Sequence, residues 1–302
     1  MSVSSILPTI IAVGPPRTAT TWIHRLLLGH AGVPRTKETD FFTANYARGL
    51  EWYAQFFADC PPGLPKLEIC PNYFARPAAL ERIAADLPDC RIICTLRDPL
   101  ERAWSHYRLM RGRGLTRAGF EELVTTPGSV IHESGRYAFH LERWFERFGR
   151  ANVLVLLYED LVADPRRFIS EFCSFIGIPP IPVADSVSEL KRVNMVTHDA
   201  RRPRMAHAGM LAVRWLEARH AWRLKKLAGR LKIWRACFAS GDEFAPMSQD
   251  VASRMRAFYE PEILALEKLL SRQFEVWRRV NSAAAESAPR AAHDLLRAAG
   301  GS

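Results

Sequence analysis

Residues 8–13 (PTIIAV) run directly into Gly14-Pro15-Pro16-Arg17-Thr18-Ala19-Thr20-Thr21, and a helical pattern with Trp22, Leu26 and Leu27 on one face follows. No other feature constrains the fold as strongly. A strand that ends in a glycine-led loop and opens a helix aims backbone N–H groups at one point, which makes a receptor for an anion. The unit also begins an alternation that the chain continues. Residues 66–69, 91–96 (RIICTL) and 153–158 (VLVLLY) read as further strands, the last so continuously apolar that it suggests cover on both faces. Helical spacing fills the intervals at 77–86, 100–110, 137–148 and 165–176. Strands alternating with helices predict an α/β, P-loop-like three-layer fold: a central parallel sheet flanked by helices.

Past residue 182 the strand signals stop. Residues 201–238 read as helical and basic, and 248–277 as one long helix starting at Ser248, with Leu264, Leu266, Leu269 and Leu270 facing inward. A single domain over 1–280 with a helical C-terminal appendage is expected, followed by a disordered, Ala-rich tail at 281–302. The net charge is +10, yet 11 Lys/Arg and one acid, Glu217, lie between residues 201 and 235. The excess is therefore local, unlike the spread charge of a nucleic-acid binder, and no nucleic acid is expected as partner. Six cysteines (60, 70, 90, 94, 173, 237) follow no framework, and no basic n-region precedes a long apolar run. These readings predict free thiols, no secretory signal and a cytoplasmic protein.

The first loop departs from the Walker A pattern: Ala19 stands where Gly is required, and the cation is Arg17 in mid-loop. There Arg17 would lie over a leaving phosphate, with Thr20 and Thr21 below. A second constellation follows the strand at 91–96: Arg97-Asp98-Pro99, then Arg102, Ser105 and Tyr107. Arg97 leaves the C-terminal end of a strand, where open α/β sheets bind ligands, and Ser105 follows two helical turns later. An arginine with a hydroxyl suits a second phosphate. His24, His106 and His140 fall on helices and read as packed or surface residues, while Cys90 and Cys94 read as buried thiols.

Together these motifs resemble the sulfotransferases that use 3′-phosphoadenosine 5′-phosphosulfate (PAPS), in particular the heparan-sulfate-type and bacterial branch. Lys37-Glu38-Thr39-Asp40-Phe41-Phe42 is similar to that family's KExxFF segment, and Glu68-Ile69-Cys70-Pro71-Asn72-Tyr73-Phe74 to its EKxPxYF segment. Gly135, Tyr137, Ala138, Leu141 and Trp144 match GxYAxxLxxW, and Tyr158-Glu159-Asp160-Leu161 matches YEDL. The resemblance implies a 5′-phosphosulfate loop over Gly14, Pro15, Pro16, Arg17, Thr18, Ala19, Thr20, Thr21 and Trp22, with Arg97 and Ser105 at the 3′-phosphate. It implies Glu38 as catalytic base, with Arg17 and Lys37 assisting. It also implies an acceptor site at Glu68, Tyr73, Phe74 and Tyr137, and a basic loop over the nucleotide at 191–204, to which Arg201 and Arg202 are assigned.

Two departures matter. Arg17 replaces the family's usual Lys, so its role should be electrostatic, since a guanidinium does not readily give up a proton. Ile69 replaces the Lys of EKxPxYF, so Lys37 or another cation compensates, or the acceptor differs. The expected reaction is in-line sulfuryl transfer from PAPS to a hydroxyl or amine of a carbohydrate, glycolipid or other small metabolite, with no metal required. The alternatives are a nucleoside-triphosphate-dependent phosphotransferase and a non-catalytic basic module for acidic polymers. Residues 201–238, with Trp215 and Trp222, read as an amphipathic stretch that could rest peripherally on an anionic membrane.

Overall fold

In the computed structural model, residues 6–183, 197–218, 224, 227–228 and 240–278 are described. Four short strands, β1 (Ile10–Ala12), β2 (Leu67–Ile69), β3 (Arg91–Leu96) and β4 (Val153–Leu157), form one parallel sheet in the order β2-β1-β3-β4. The period-two alternation of side chains sorts each strand between two layers. Ile11, Val13, Ile92, Cys94 and Leu96 enter one apolar cluster, while Ile10, Ala12, Leu67, Ile69 and Ile93 enter the other. Helices α1 (Thr20–Leu27) and α6 (Pro165–Ile176) cover the second cluster with Ile23, Leu27, Phe168, Ile169 and Phe172. Helices α2 (Pro77–Asp86), α3 (Pro99–Gly112) and α4 (Tyr137–Phe148) cover the first. This is the three-layer arrangement that the βα alternation predicts. One short helix, α5 (Tyr158–Ala163), follows β4 directly.

Three expectations change. The strand at 153–157 lies at a sheet edge, and Leu154 and Val155 are only half-buried, because an edge strand has a neighbour on one side alone. Past residue 182 a small antiparallel pair appears, β5 (His198–Ala200) with β6 (Ser240–Glu243), and helix α7 (Pro203–Ala218) follows β5. The long helix expected over 248–277 is two: α8 (Gln249–Leu270) and α9 (Glu275–Arg278). Ser248 Oγ accepts from the Val251 N–H and caps α8 as expected. The break comes at Ser271, which turns left-handed at φ 51°, and Glu267 then accepts from the Phe274 N–H and from Arg278. Leu266 is buried, but Leu264 is exposed, being two positions away on a helix whose inner face also holds Ile263 and Tyr259. The expected continuation of basic helix to 238 and the tail at 281–302 fall outside the described residues, apart from positions 224 and 227–228.

Candidate active site

The chain runs from β1 outward to β2, then crosses back to pair β3 against the other side of β1. β1 and β3 are parallel and in register, Ile10 opposite Arg91 and Ala12 opposite Ile93. Such a reversal opens a crevice at the C-terminal strand ends, and both candidate loops start there.

The first loop is pressed against β3. A Cβ on Gly14 would lie 2.6 Å from the Thr95 nitrogen and 2.7 Å from its carbonyl oxygen, so only glycine fits. Thr18 Oγ1 donates to the Pro15 carbonyl at 2.9 Å and lies 2.7 Å from Thr95 Oγ1, which ties the loop to itself and to the strand. Arg17 and Ala19 adopt left-handed conformations at φ 82° and 65°. Such conformations are costly for residues with a side chain and concentrate at functional sites. Ala19 stands at the N-cap of α1, whose N-terminus no side chain caps. Trp22 is half-buried against the second apolar cluster.

The first loop also reaches α3: Arg17 Nε donates to Ser105 Oγ at 2.9 Å. Arg97 sits at the end of β3 with its guanidinium 4.7 Å above the Tyr158 ring and 3.6 Å from Glu101. Burial, together with the charges of Arg97, Arg113 and Arg108, pushes the Arg17 guanidinium down to about 10. Several cations therefore crowd one crevice, an arrangement that an anion with two charged ends would relieve. The residues present fit a ligand that carries anionic groups. Arg108 and Arg113 were not among the sequence candidates, although Arg108 lies one helical turn after Ser105. His106 is buried beside Arg102, Arg17 and Arg113, and burial before all pushes it down to about 3, so it is neutral.

Glu38 faces this cluster closely enough for its charge to raise Arg17. It forms an ion pair with Lys37 and holds φ 63°, while Asp40 holds φ 52°. The residue between them anchors the loop: the Thr39 N–H and hydroxyl both donate to Glu68 Oε1. Tyr53 and Tyr73 donate to the same carboxylate. Burial pushes Glu68 up to about 7 against these donated hydrogen bonds, each of which favours the ionised form.

Residues 7–207 match the model of the sulfotransferase domain. The chain belongs to the sulfotransferase family. The heparan sulfate N-deacetylase/N-sulfotransferase 4 of Mus musculus is 32% identical over 198 residues, 58% of this chain and 23% of that protein. Heparan sulfate glucosamine 3-O-sulfotransferase 3B1 of Mus musculus is 31% identical over 188 residues, 59% of this chain and 48% of that one. The chain thus spans a quarter to a half of these relatives. A sulfotransferase from Alicyclobacillus acidocaldarius has the same fold, with a TM-score of 0.64 at 20% identity, covering 90% of this chain and 99% of that one.

Within this sulfotransferase, the four residues expected to touch the acceptor are all buried. Glu68 is 1% exposed and serves as the anchor of the Thr39 loop. Tyr73 is buried, with its hydroxyl donating to Glu68 and accepting from the Phe42 N–H. Phe74 packs in the core beside Tyr137 and His140. Tyr137 is buried and donates to the Arg97 carbonyl at 2.9 Å. Glu68 and Tyr73 brace the Thr39 loop, and Tyr137 braces the Arg97 carbonyl. Ile69 faces the second apolar cluster, so its strand register offers no place for a cation there. Arg201 and Arg202 stand exposed where β5 passes into α7, a turn docked on the C-terminal end of α3: Asp199 pairs with Arg111, and Pro203 abuts Gly114. His24 and His140 are buried and packed, as read from the sequence.

Proposed function

We propose that this sulfotransferase takes PAPS as donor and transfers its sulfuryl group to a hydroxyl of a carbohydrate. The observation that carries the reading is the Arg17–Ser105 hydrogen bond, which joins the first loop to α3, the helix after Arg97, at the C-terminal ends of β1 and β3. When bound, PAPS supplies an activated sulfuryl group whose departure leaves negative charge on the 5′-phosphate side. Arg17 and the uncapped N-terminus of α1 hold positive charge against that oxygen. Arg17 keeps its proton throughout, because even its lowered value, about 10, lies well above neutral pH. Arg97, with Ser105, holds the 3′-phosphate. Glu38 accepts the proton of the acceptor hydroxyl, and Lys37 orients it. The names of the relatives, heparan sulfate enzymes, support a glycan acceptor. A screen of glycan, glycolipid and small-alcohol acceptors with labelled donor tests the assignment. Transfer from PAPS that persists in excess chelator supports it; transfer only from a nucleoside triphosphate contradicts it.

The acceptor carbohydrate is presented at an anionic membrane face. Met205, Leu211, Trp215, Leu224 and Leu227 make up five of the eleven exposed large apolar side chains among the described residues. They interleave with the basic excess of 201–235, and Arg201, Arg202 and Arg204 are exposed beside them. Apolar insertion with surrounding Lys/Arg suits an anionic lipid surface better than a soluble polyanion, which would meet charge alone. Among the described residues no helix is long and apolar enough to cross a membrane.

A further inference from the structure

Two motifs of the sequence, Gly135-x-Tyr137-Ala138 and Tyr158-Glu159-Asp160-Leu161, have no part in the reaction given above. In the fold both converge on a single peptide bond. The Tyr137 hydroxyl donates to the Arg97 carbonyl at 2.9 Å, and the Asp98 N–H, at the other side of the same planar unit, donates to Glu159 Oε1 at 2.8 Å. Because the peptide unit is rigid, hydrogen bonds to its C=O and from its N–H fix the rotation of the plane.

The neighbouring side chain adds a third restraint. Asp98 Oδ1 accepts from the N–H groups of Leu100 and Glu101, capping α3, and its Oδ2 accepts from Arg256 Nη1 at 3.1 Å. Arg256, on α8, also donates to the Trp277 carbonyl on α9. The other members of the two motifs mount these groups. A Cβ on Gly135 would lie 2.7 Å from Tyr259 Cε1, so glycine lets the turn before Tyr137 pack flat against α8. Glu262, on α8, accepts from the Ala138 N–H at 2.6 Å. Tyr158 supplies the ring under Arg97, and Asp160 ties α5 to Arg272 through two contacts of 2.7 and 2.9 Å.

We propose that Tyr137, Glu159 and Arg256 are positioning residues for Arg97: they lock the Arg97–Asp98 peptide plane and thereby aim Arg97, and the helix carrying Ser105, at the nucleotide 3′-phosphate. The inference rests on the PAPS reading of the site. A guanidinium recognises phosphate through paired, directional hydrogen bonds, so a rotated backbone at its root misdirects both donors.

The test is calorimetry on the full chain with adenosine 3′,5′-bisphosphate and with adenosine 5′-monophosphate, which lacks the 3′ group. Wild type, Tyr137→Phe, Arg256→Ala and Arg256→Lys are compared, with melting temperatures alongside. Tyr137→Phe keeps the buried ring and removes only the hydroxyl, so it folds. It should weaken the bisphosphate about tenfold while leaving the monophosphate unchanged. Arg256→Ala should show the same selective loss, and Arg256→Lys should recover part of it. Equal losses for both nucleotides, or none for either, would overturn the proposal, because a merely structural role does not distinguish them. A wild-type protein that binds both nucleotides equally would overturn the PAPS reading itself, and the lock with it.

Discussion

Arg17 Nε donates to Ser105 Oγ at 2.9 Å, joining residues 88 positions apart at the point where the sheet order reverses. Each side chain is brought there by a different strand, so the contact measures how closely the two loops approach. Removing the Arg17 charge should cost a factor of about 10² to 10³ in turnover, the usual loss when a fixed donor to a leaving oxygen is deleted. Steady-state rates of Arg17→Ala at saturating donor check this. Ser105→Ala should instead act mainly on nucleotide affinity.

Two small residues in the first loop should respond in opposite ways. Gly14→Ala places a methyl 2.6 Å from the Thr95 nitrogen and should destabilise by roughly 1–3 kcal/mol, with loss of nucleotide binding. Ala19 holds φ 65°, and Ala19→Gly relieves that strain. Its stability should be unchanged or raised by up to about 1 kcal/mol, with binding retained. Denaturant melts of the two variants decide the matter.

Glu38→Gln should still bind adenosine 3′,5′-bisphosphate yet lose turnover by a factor of about 10² to 10⁴, the range for a general base. Retained turnover would remove Glu38 from that role.

The Glu68 carboxyl, raised by burial to about 7, gives a pH dependence with a definite sign. Its unfolded value is near 4.5. Between the two, the unfolded chain releases its proton first, so stability from this group is fully present below the lower value and falls as pH rises toward 7. The melting temperature of wild type minus that of Glu68→Gln should therefore decline from pH 4.5 to 7.5, by an amount of the order of 3 kcal/mol in stability. A flat difference, or one that rises with pH, would show that the hydrogen bonds from Thr39, Tyr53 and Tyr73 outweigh burial.

The basic, apolar stretch after β5 predicts flotation with vesicles containing anionic phospholipid and none with neutral vesicles, and Trp215→Ser with Leu211→Ser should reduce it. Equal behaviour on the two vesicle types removes the membrane contact.

Much of this architecture is legible in the residues. Helices 77–86, 137–148 and 165–176 have the bounds that their apolar spacing and flanking Pro or Gly predict, and β3 matches its run residue for residue. Arg17 and Arg97 follow strand ends, and Ser105 lies two turns into the helix that opens after Arg97, positions that local pattern identifies. What stayed hidden depends on partners distant in sequence. His198–Ala200 is three residues with no apolar alternation, and it is a strand only because Ser240–Glu243 lies beside it. Ser271 carries no helix-stop signal, and its left-handed turn is supported by Glu267 and the residues beyond. Tyr73, Phe74 and Tyr137 look like pocket walls in the sequence, since a tyrosine that braces a peptide from below and one that faces a ligand have the same local pattern.

Calorimetric titration of wild type and Arg97→Ala with adenosine 3′,5′-bisphosphate tests the central claim most directly. The account predicts saturable binding to the wild type, one nucleotide per chain, and at least tenfold weaker binding to the variant, the usual cost of losing a charged hydrogen-bonding partner. No binding to the wild type, or equal binding to both, would contradict it.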